Sequence, residues 1–492
     1  MDPRLDEALA LRRSGDLRRA ESRVRDVLAR APRHARALHL LGCIRLQRGD
    51  AAEAVRLLKQ AVAVAPAVAA CHEDLAAAYL AAREEKLVEG ECILALRCDG
   101  TRHRPHNLLG LAALERGDYE RALGHFSDVL AAHSPDVDAM TNIAVVCNRI
   151  GDYEMAKKYS ELVLRLAPEQ VQAWNNLGLA LRAMRRLAEA RAAFERAGDF
   201  PMARFNLGYT YLLEDDLAHG LPLIEARKAL LGIGRGLAKP EWDGRPHPGR
   251  TLLVAHEQGL GDTILMSRFY PALLDRFERV VALVKKPLAR LIAESFPGIE
   301  VVTALEGVRY DLWCATMSLP LLLGIDSVER IPNEPWLRAP APPTRGDRPR
   351  VGLNWAGNPS FAYDRVRSTS LERLRLLLEV RDVEWCSLHK GHLEHEAEAF
   401  GLPQPLRDAT DFLDTAVVVS GLDLVVSTET AVPNLSAALG VRTCVLAGVD
   451  TDWRWRSWYP GVTICAQESA GDWGPPVVKV LEFMREELLK AA

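Results

Sequence analysis

No two cysteines stand in a C-x-x-C spacing, and the nine present, at 43, 71, 92, 98, 147, 314, 386, 444 and 465, are scattered and odd in number. That argues against a disulfide framework or a cysteine-built zinc site and fits thiols kept reduced inside a cell. No apolar run approaches the roughly 20 residues that cross a bilayer; the longest, such as 319–325, fall far short. The opening M-D-P-R-L-D-E lacks a basic start followed by an apolar segment. No secretory signal is read, so a cytoplasmic location without membrane insertion is expected. An excess of one charge is missing as well: 62 Lys and Arg face 66 Asp and Glu, a net of -4. A nucleic-acid partner gripped by bulk positive charge is therefore not expected. No set of metal ligands stands out by spacing, so neither a metal nor a bound cofactor is assigned.

The 492 residues suffice for about three domains. Gly15, Gly49, Gly117 and Gly151 fall in one register, spaced by 34 residues or twice that; Ala20, Ala54, Ala122, Ala156 and Ala190 keep the same ruler, as do Pro32, Pro66 and Pro168. This is the tetratricopeptide period. Small residues let two antiparallel helices pack closely, glycine turns the chain between them, and proline ends the second helix. Leu41, Leu75, Leu109, Ile143 and Leu177 share one position of the first helix in successive repeats, and Trp174 with Gly178 adds a W-x-x-L-G signature in the sixth. The third repeat has lost its turn glycine around 82–86, and a seventh, shortened unit begins near Ala203 and caps the array.

Just before that leucine register stand Asn142, Asn176 and Asn206, while Asp74 and Leu108 break the series earlier. Stacked repeats would align the three amides on a concave face, where each can donate to and accept from an extended peptide. The pattern resembles the asparagine ladder of the nucleocytoplasmic O-GlcNAc transferase family. The competing reading is that N-L-G is simply frequent in this repeat type. Repeats of this kind also dimerise, which leaves a homo-oligomer open.

The glycine- and proline-rich stretch 232–250 marks a boundary, and 339–349 (A-P-A-P-P-T-R-G-D-R-P) a second one. Beyond the first, strand and helix patterns alternate, with strands expected at 251–255, 279–284, 350–354, 383–388, 423–427 and 442–447. Such alternation predicts parallel sheets, and two such blocks joined by a hinge form a cleft at the strand carboxyl ends. The first strand runs into V-A-H-E-Q-G-L-G-D-T-I (254–264), in which Gly259 and Gly261 allow close approach of a ligand or of the opposing domain and Asp262 stands at a helix start. A lone G-x-G is weak evidence, and N-capping is the plainer reading of Asp262.

Six motifs occur in a fixed order: E-Q-G-L-G-D-T-I (257–264), W-A-G-N-P-S-F-A-Y-D-R-V-R-S (355–368), S-L-H-K-G (387–391), D-F-L-D-T-A (411–416), L-D-L-V-V-S-T-E-T (422–430) and D-W-R-W (452–455). Together they resemble bacterial tetratricopeptide proteins carrying a heptosyltransferase-like GT-B glycosyltransferase domain, some of which look like flagellin glycosyltransferases. The resemblance implies an α + α/β fold: a tetratricopeptide superhelix over 1–230, a linker over 231–250, and GT-B Rossmann-like domains at 251–340 and 350–492, the latter binding a nucleotide sugar. It implies inverting, metal-independent transfer to Ser or Thr of a flagellin-like protein acceptor.

In that frame Asp262 matches the proposed base. Donor contacts are expected from Gly261, Asn358, Arg365, Arg367, Lys390, Thr428, Glu429, Thr430 and Asn434, and acceptor contacts from Asn142, Asn176 and Asn206. Arginine pairs clamp phosphate or carboxylate, and the helix start after Thr430 offers N–H groups. The related pattern reads D-T with a histidine four residues after the threonine; here Glu429 and Asn434 stand instead. That departure fits a donor other than a diphosphate sugar, such as a nonulosonic acid on cytidine monophosphate. His389 and His392 lack a third ligand, and the D-x-D of Asp450 and Asp452 is read as structural. Trp453, Trp455, Trp458 and Tyr459, with Arg454 and Arg456, either stack a base or pack the last helix. Two other functions stay open: a non-catalytic scaffold whose GT-B half senses a nucleotide or sugar, and transfer to a lipopolysaccharide-type glycan.

Overall fold

A computed structural model describes residues 2–340, 347–361, 364–449, 451–459 and 461–488, apart from the side chain of Arg365. The chain divides into two compact units, Met1–Asn206 and Leu207–Ala492. The first holds six helix pairs, from Pro3–Arg13 with Leu17–Arg30 to Val171–Ala183 with Leu187–Arg196. Aspartates 16, 50, 118 and 152 cap the second helix of their pairs by accepting an N–H three residues on. Ala20, Ala54, Ala122, Ala156 and Ala190 are all fully buried, as their register requires.

Packing between the helices of a pair follows a size rule. Gly42, Gly110 and Gly178 sit where a Cβ would come within 2.5 to 2.6 Å of Leu58, Phe126 and Phe194 in the second helix. The intervening repeats place Ala76 and Ala144 at that position, 34 residues on, and pair them with the smaller Cys92 and Ser160; all four are fully buried. Bulk on one helix is matched by its absence on the other. The turn follows a conformational rule. Gly15, Gly49, Gly117 and Gly151 have φ of +84, +81, +74 and +85°, whereas Arg83, Arg185 and Asp215, which take their place in the third, sixth and seventh units, hold +59, +61 and +59°. The left-handed turn is thus kept where the glycine is lost, at a steric cost.

The second unit carries two parallel sheets. The first consists of β1 (His247–Ala255), β2 (Phe277–Leu283), β3 (Glu300–Val302) and β4 (Leu312–Ala315) in the order β3-β2-β1-β4. The second consists of β5 (Arg350–Asn354), β6 (Glu384–Ser387), β7 (Leu424–Thr428), β8 (Thr443–Ala447) and β9 (Val462–Ala466) in the order β6-β5-β7-β8-β9. The architecture is a tetratricopeptide array followed by two parallel-sheet α/β domains. Strands β3, β4 and β9 go beyond the six expected from sequence. The segment before β1 packs on the first sheet: the backbone N–H of the buried Trp242 donates to Trp313 O at 2.7 Å, and Ile233 and Leu237 join the core around Leu253 and Val281. No helix among the described residues is long and apolar enough to cross a membrane.

Candidate functional site

In an open parallel sheet, the strand order reverses at one point, and the loops leaving the two strands there diverge and leave a crevice. Here those points lie between β1 and β4 in the first sheet and between β5 and β7 in the second. The loops that follow these strands carry most of the residues singled out above.

After β1, Glu257 is buried and fixed from three sides: Arg227 donates to both its oxygens at 2.9 and 3.0 Å, and Met317 N–H donates at 2.7 Å. Burial opposes the charge on Arg227, but Glu257 and Glu225 outweigh it and hold the guanidinium protonated. The turn then departs from expectation. Its left-handed residue is Gln258, at φ +55°, and not Gly259 or Gly261. Gln258 O accepts from Lys285 Nζ at 2.6 Å, which fixes the strained peptide. Gly259 is extended, and a Cβ there would lie 3.0 Å from Asp262 Oδ2, crowding that carboxylate. At Gly261 a Cβ would lie 2.9 Å from Asn434 Nδ2, so it is the opposing domain that approaches there. Asp262, third residue of the helix Leu260–Met266, is half-buried; it is not the N-cap, which is Gly259, but its Oδ2 reaches back to accept from Gly259 N–H at 2.9 Å.

The other carboxylate oxygen faces the second sheet. Asp262 Oδ1 accepts from Arg454 Nη1 at 2.7 Å, and Arg454 also grips Asp452 through Nε and Nη2, with bonds of 2.6 to 3.1 Å. Burial disfavours the charge of Arg454, yet the two aspartates more than offset it and raise its pKa. Beside this cluster Tyr459 OH donates to Asn434 Oδ1 at 2.7 Å, while Asn434 Nδ2 donates to Thr430 O at 2.8 Å. Asn434 thus spends donor and acceptor within the protein. Arg268, buried, lies 3.9 Å from the Trp336 ring centroid and 4.9 Å from that of Tyr459, and donates to Trp458 O. Burial pushes its pKa down to about 10.

At the second switch point, Asn354 Nδ2 donates to Ser427 Oγ and to Thr430 Oγ1 at 3.0 and 3.1 Å, tying the end of β5 to that of β7. Thr430 caps the helix Ala431–Ala438. Thr428 is fully buried and its hydroxyl has no partner among the described residues. Glu429 accepts from the N–H groups of Asp452 and Gly448 at 3.2 and 3.4 Å. Burial, with the nearby charge of Asp452, pushes its carboxyl up to about 7 against those bonds and Arg367. Arg367 bonds Glu429 O at 2.8 Å and Asp364 at 3.2 Å and stacks on Phe361 at 4.4 Å.

The remaining positions stand apart. Asn358 is exposed and forms a turn with Ser360, accepting at 3.0 and 2.8 Å. The Arg365 side chain and Asp450 lie outside the described residues. Lys390 Nζ donates to the carbonyls of Leu406, Arg407 and Ala409, so its charge is anchored to a neighbouring loop. His389 is buried against Trp355, its ring nitrogens facing Asn354 and Leu393 N–H, and burial lowers its pKa. Trp453, Trp455, Trp458 and Tyr459 are all buried, Trp453 edge-on to Trp458 and Trp455 stacked on Tyr459. In the repeat unit Asn142 is half-buried; Asn176 and Asn206 are buried, with Nδ2 groups donating to Thr141 O at 3.5 Å and to Asn175 Oδ1 at 2.9 Å. The sequence reading passed over Asn354 and Arg227, and it treated Arg454 as packing or stacking. A cation beside two aromatics in D-W-R-W was a signal for it; Asn354 at a strand end and Arg227 carried none.

A tetratricopeptide repeat family model matches residues 5–62, 107–163 and 151–201, skipping the third repeat. Protein FlbA of Caulobacter vibrioides is 26% identical over 544 aligned positions, covering 96% of this chain and 87% of FlbA. Photosystem I assembly protein Ycf3 of Acaryochloris marina is 33% identical over 94 residues, 18% of this chain and 57% of that protein. Among solved structures, the APC/C hetero-tetramer Cut9-Hcn1 aligns with a TM-score of 0.42 at 18% identity over 46% of each chain. A tetratricopeptide repeat protein from Parabacteroides merdae gives 0.40 at 16% identity, over 46% of this chain and 92% of its own. The chain is a tetratricopeptide repeat protein with a C-terminal α/β region of two parallel sheets, and FlbA is a distant relative along nearly its whole length.

Proposed function

We propose that the chain is an inverting, metal-independent glycosyltransferase that moves a sugar from a nucleotide-sugar donor to Ser or Thr hydroxyls of a flagellin-like protein acceptor held by the repeats. The observation that carries this reading is the meeting, in one compact unit, of the loop after β1 with the helix after β7, through Gly261 with Asn434, and with the segment after β8, through Asp262 with Arg454. Such a transfer needs a base at the acceptor hydroxyl and N–H groups or cations at the departing phosphate. Asp262 serves as the base, and opening of its pair with Arg454 both uncovers Oδ1 and releases a guanidinium toward the phosphate. Thr428, Thr430, the N–H groups after Thr430, Arg365 and Arg367 take the donor. Asn142, Asn176 and Asn206 line the acceptor path.

Glu429 and Asn434 stand where the related pattern has aspartate and histidine, and both are engaged internally. This supports a donor such as a cytidine monophosphate nonulosonic acid. The same engagement favours the second reading, a scaffold whose α/β half senses a ligand without turnover. A thermal-shift screen against cytidine, uridine, adenosine, guanosine and deoxythymidine nucleotides separates the two, because a ligand at a hundred times its Kd adds about 2.7 kcal/mol. A shift with one base, lost in Arg365→Ala, supports the donor site, and Asp262→Asn should then abolish transfer while leaving acceptor binding intact. No shift with any nucleotide moves the assignment to the scaffold.

A further inference from the structure

The repeat unit holds a constellation that the proposed transfer does not use. Among the described residues, two groups place three potential ligand atoms within 4.8 Å of one another: His39, Cys43 and Asp74, and His106, His125 and Asp128. In the first, the atoms are already joined. Asp74 accepts from His39 at 2.6 Å and from Cys43 at 3.2 Å, and Arg104 takes its other oxygen at 2.7 Å. A cation there would meet a guanidinium.

The second group differs in that its ligand atoms are not hydrogen-bonded to one another and its carboxylate is not paired with an arginine among the described residues, although Arg116 and Arg121 stand nearby. His106 lies in the helix Arg104–Glu115, and His125 and Asp128 stand one turn apart in Tyr119–Ala132, the two helices of the fourth repeat. The Nδ1 atoms of His106 and His125 are both shielded from solvent and have no hydrogen-bond partner among the described residues. A buried ring nitrogen left unpaired is costly, and two on facing helices require an explanation. Asp128 Oδ2 is 3.9 Å from His106 Nδ1, too far for a hydrogen bond, and its side chain is 65% exposed, so it can swing. His125 and Asp128 also border a cavity of about 420 Å³ shared with Glu89, Arg116 and Arg121. There is room for an ion and its water.

We propose that His106, His125 and Asp128 bind one divalent transition-metal ion of zinc-like preference. Two imidazole nitrogens and a carboxylate oxygen suit such an ion at about 2.0 to 2.2 Å, which sets the ligand atoms roughly 3.3 Å apart. A small closure of the present arrangement reaches that geometry. The ion clasps the two helices of the fourth repeat, and its remaining position faces the cavity, open to water or to a donor atom from a bound protein. No local pattern hints at this, because eighteen residues separate the two histidines and only the helix pairing makes them neighbours.

The test uses the full chain, stripped with a chelator and titrated with Co2+ and then Zn2+ near neutral pH. One Co2+ per chain, with ligand-field absorption of a four- or five-coordinate ion displaced by Zn2+, is the expected result. His106→Asn and His125→Asn should each weaken binding at least about tenfold, and Asp128→Asn, at an exposed position, should do so while melting like the parent chain without metal. Cys43→Ser should bind as the parent does. Saturable binding that survives both histidine variants, binding lost in Cys43→Ser instead, or no saturable binding at all would each overturn the assignment.

Discussion

The turn between the helices of each repeat offers a test in which one variable changes at a time. Arg83 and Arg185 are exposed and hold φ of +59 and +61° at the register where four other repeats place glycine. A side chain in that region costs about 1–2 kcal/mol against the right-handed one. Glycine removes that cost but loses about 0.5–1 kcal/mol through the extra freedom of its unfolded chain. Arg83→Gly and Arg185→Gly should therefore each stabilise the repeat unit by roughly 0.5–1 kcal/mol. The reverse change is equally clean. At Gly49 an added Cβ meets nothing within 4 Å, so Gly49→Ala pays the dihedral penalty less the entropy the unfolded chain gives up, a net loss of roughly 0.5–1 kcal/mol. Urea unfolding followed by circular dichroism at 222 nm, where helix signal dominates, reads the midpoint shifts, and Arg83→Ala serves as the control that removes the side chain but keeps the strain. If Arg83→Gly lowers the midpoint while Arg83→Ala does not, the dihedral account of the turn is wrong. If both lower it equally, the arginine side chain itself holds the turn.

Two further outcomes follow from packing and charge. Gly178→Ala drives a Cβ to 2.5 Å from the Phe194 ring and should cost about 1–3 kcal/mol; adding Phe194→Cys copies the Ala76 and Cys92 pairing of the third repeat. The double variant should be more stable than the two single losses sum to, by over about 0.5 kcal/mol in a double-mutant cycle, and strict additivity would contradict the size rule. Glu429, pushed from its ordinary 4.5 up to about 7 by burial, keeps its proton in the folded state where the unfolded chain has released it. Its contribution to stability therefore falls as pH rises from about 4.5 to 7. Glu429→Gln should melt close to the parent at pH 5 and above it at pH 8, and a parent that outlasts the variant at pH 8 would mean the N–H bonds of Gly448 and Asp452 outweigh burial.

The parts of this molecule that could be read from sequence are those where one physical constraint repeats. Helix pairs recur every 34 residues because the same glycine turn and the same buried alanine recur, so the array was legible even where Arg83 hides the turn. Strands β1, β5, β7 and β8 were legible because a buried parallel strand is a nearly continuous apolar run. β3 and β4 span three and four residues, too short for any period to show. The site was legible residue by residue but not as an arrangement. Asp262 reads as an N-cap, yet it stands three residues further in and bonds back to the N–H of the N-cap Gly259; that its other oxygen meets Arg454, 192 positions later, depends on which sheet faces which, information that no local pattern contains. The same limit explains Lys390. Its position after a strand suggests a phosphate ligand, yet three backbone carbonyls reach its ammonium first, and nothing in S-L-H-K-G records where the 406–409 loop will lie. Local chemistry names candidates, and the long-range pairings decide which of them remain free to act.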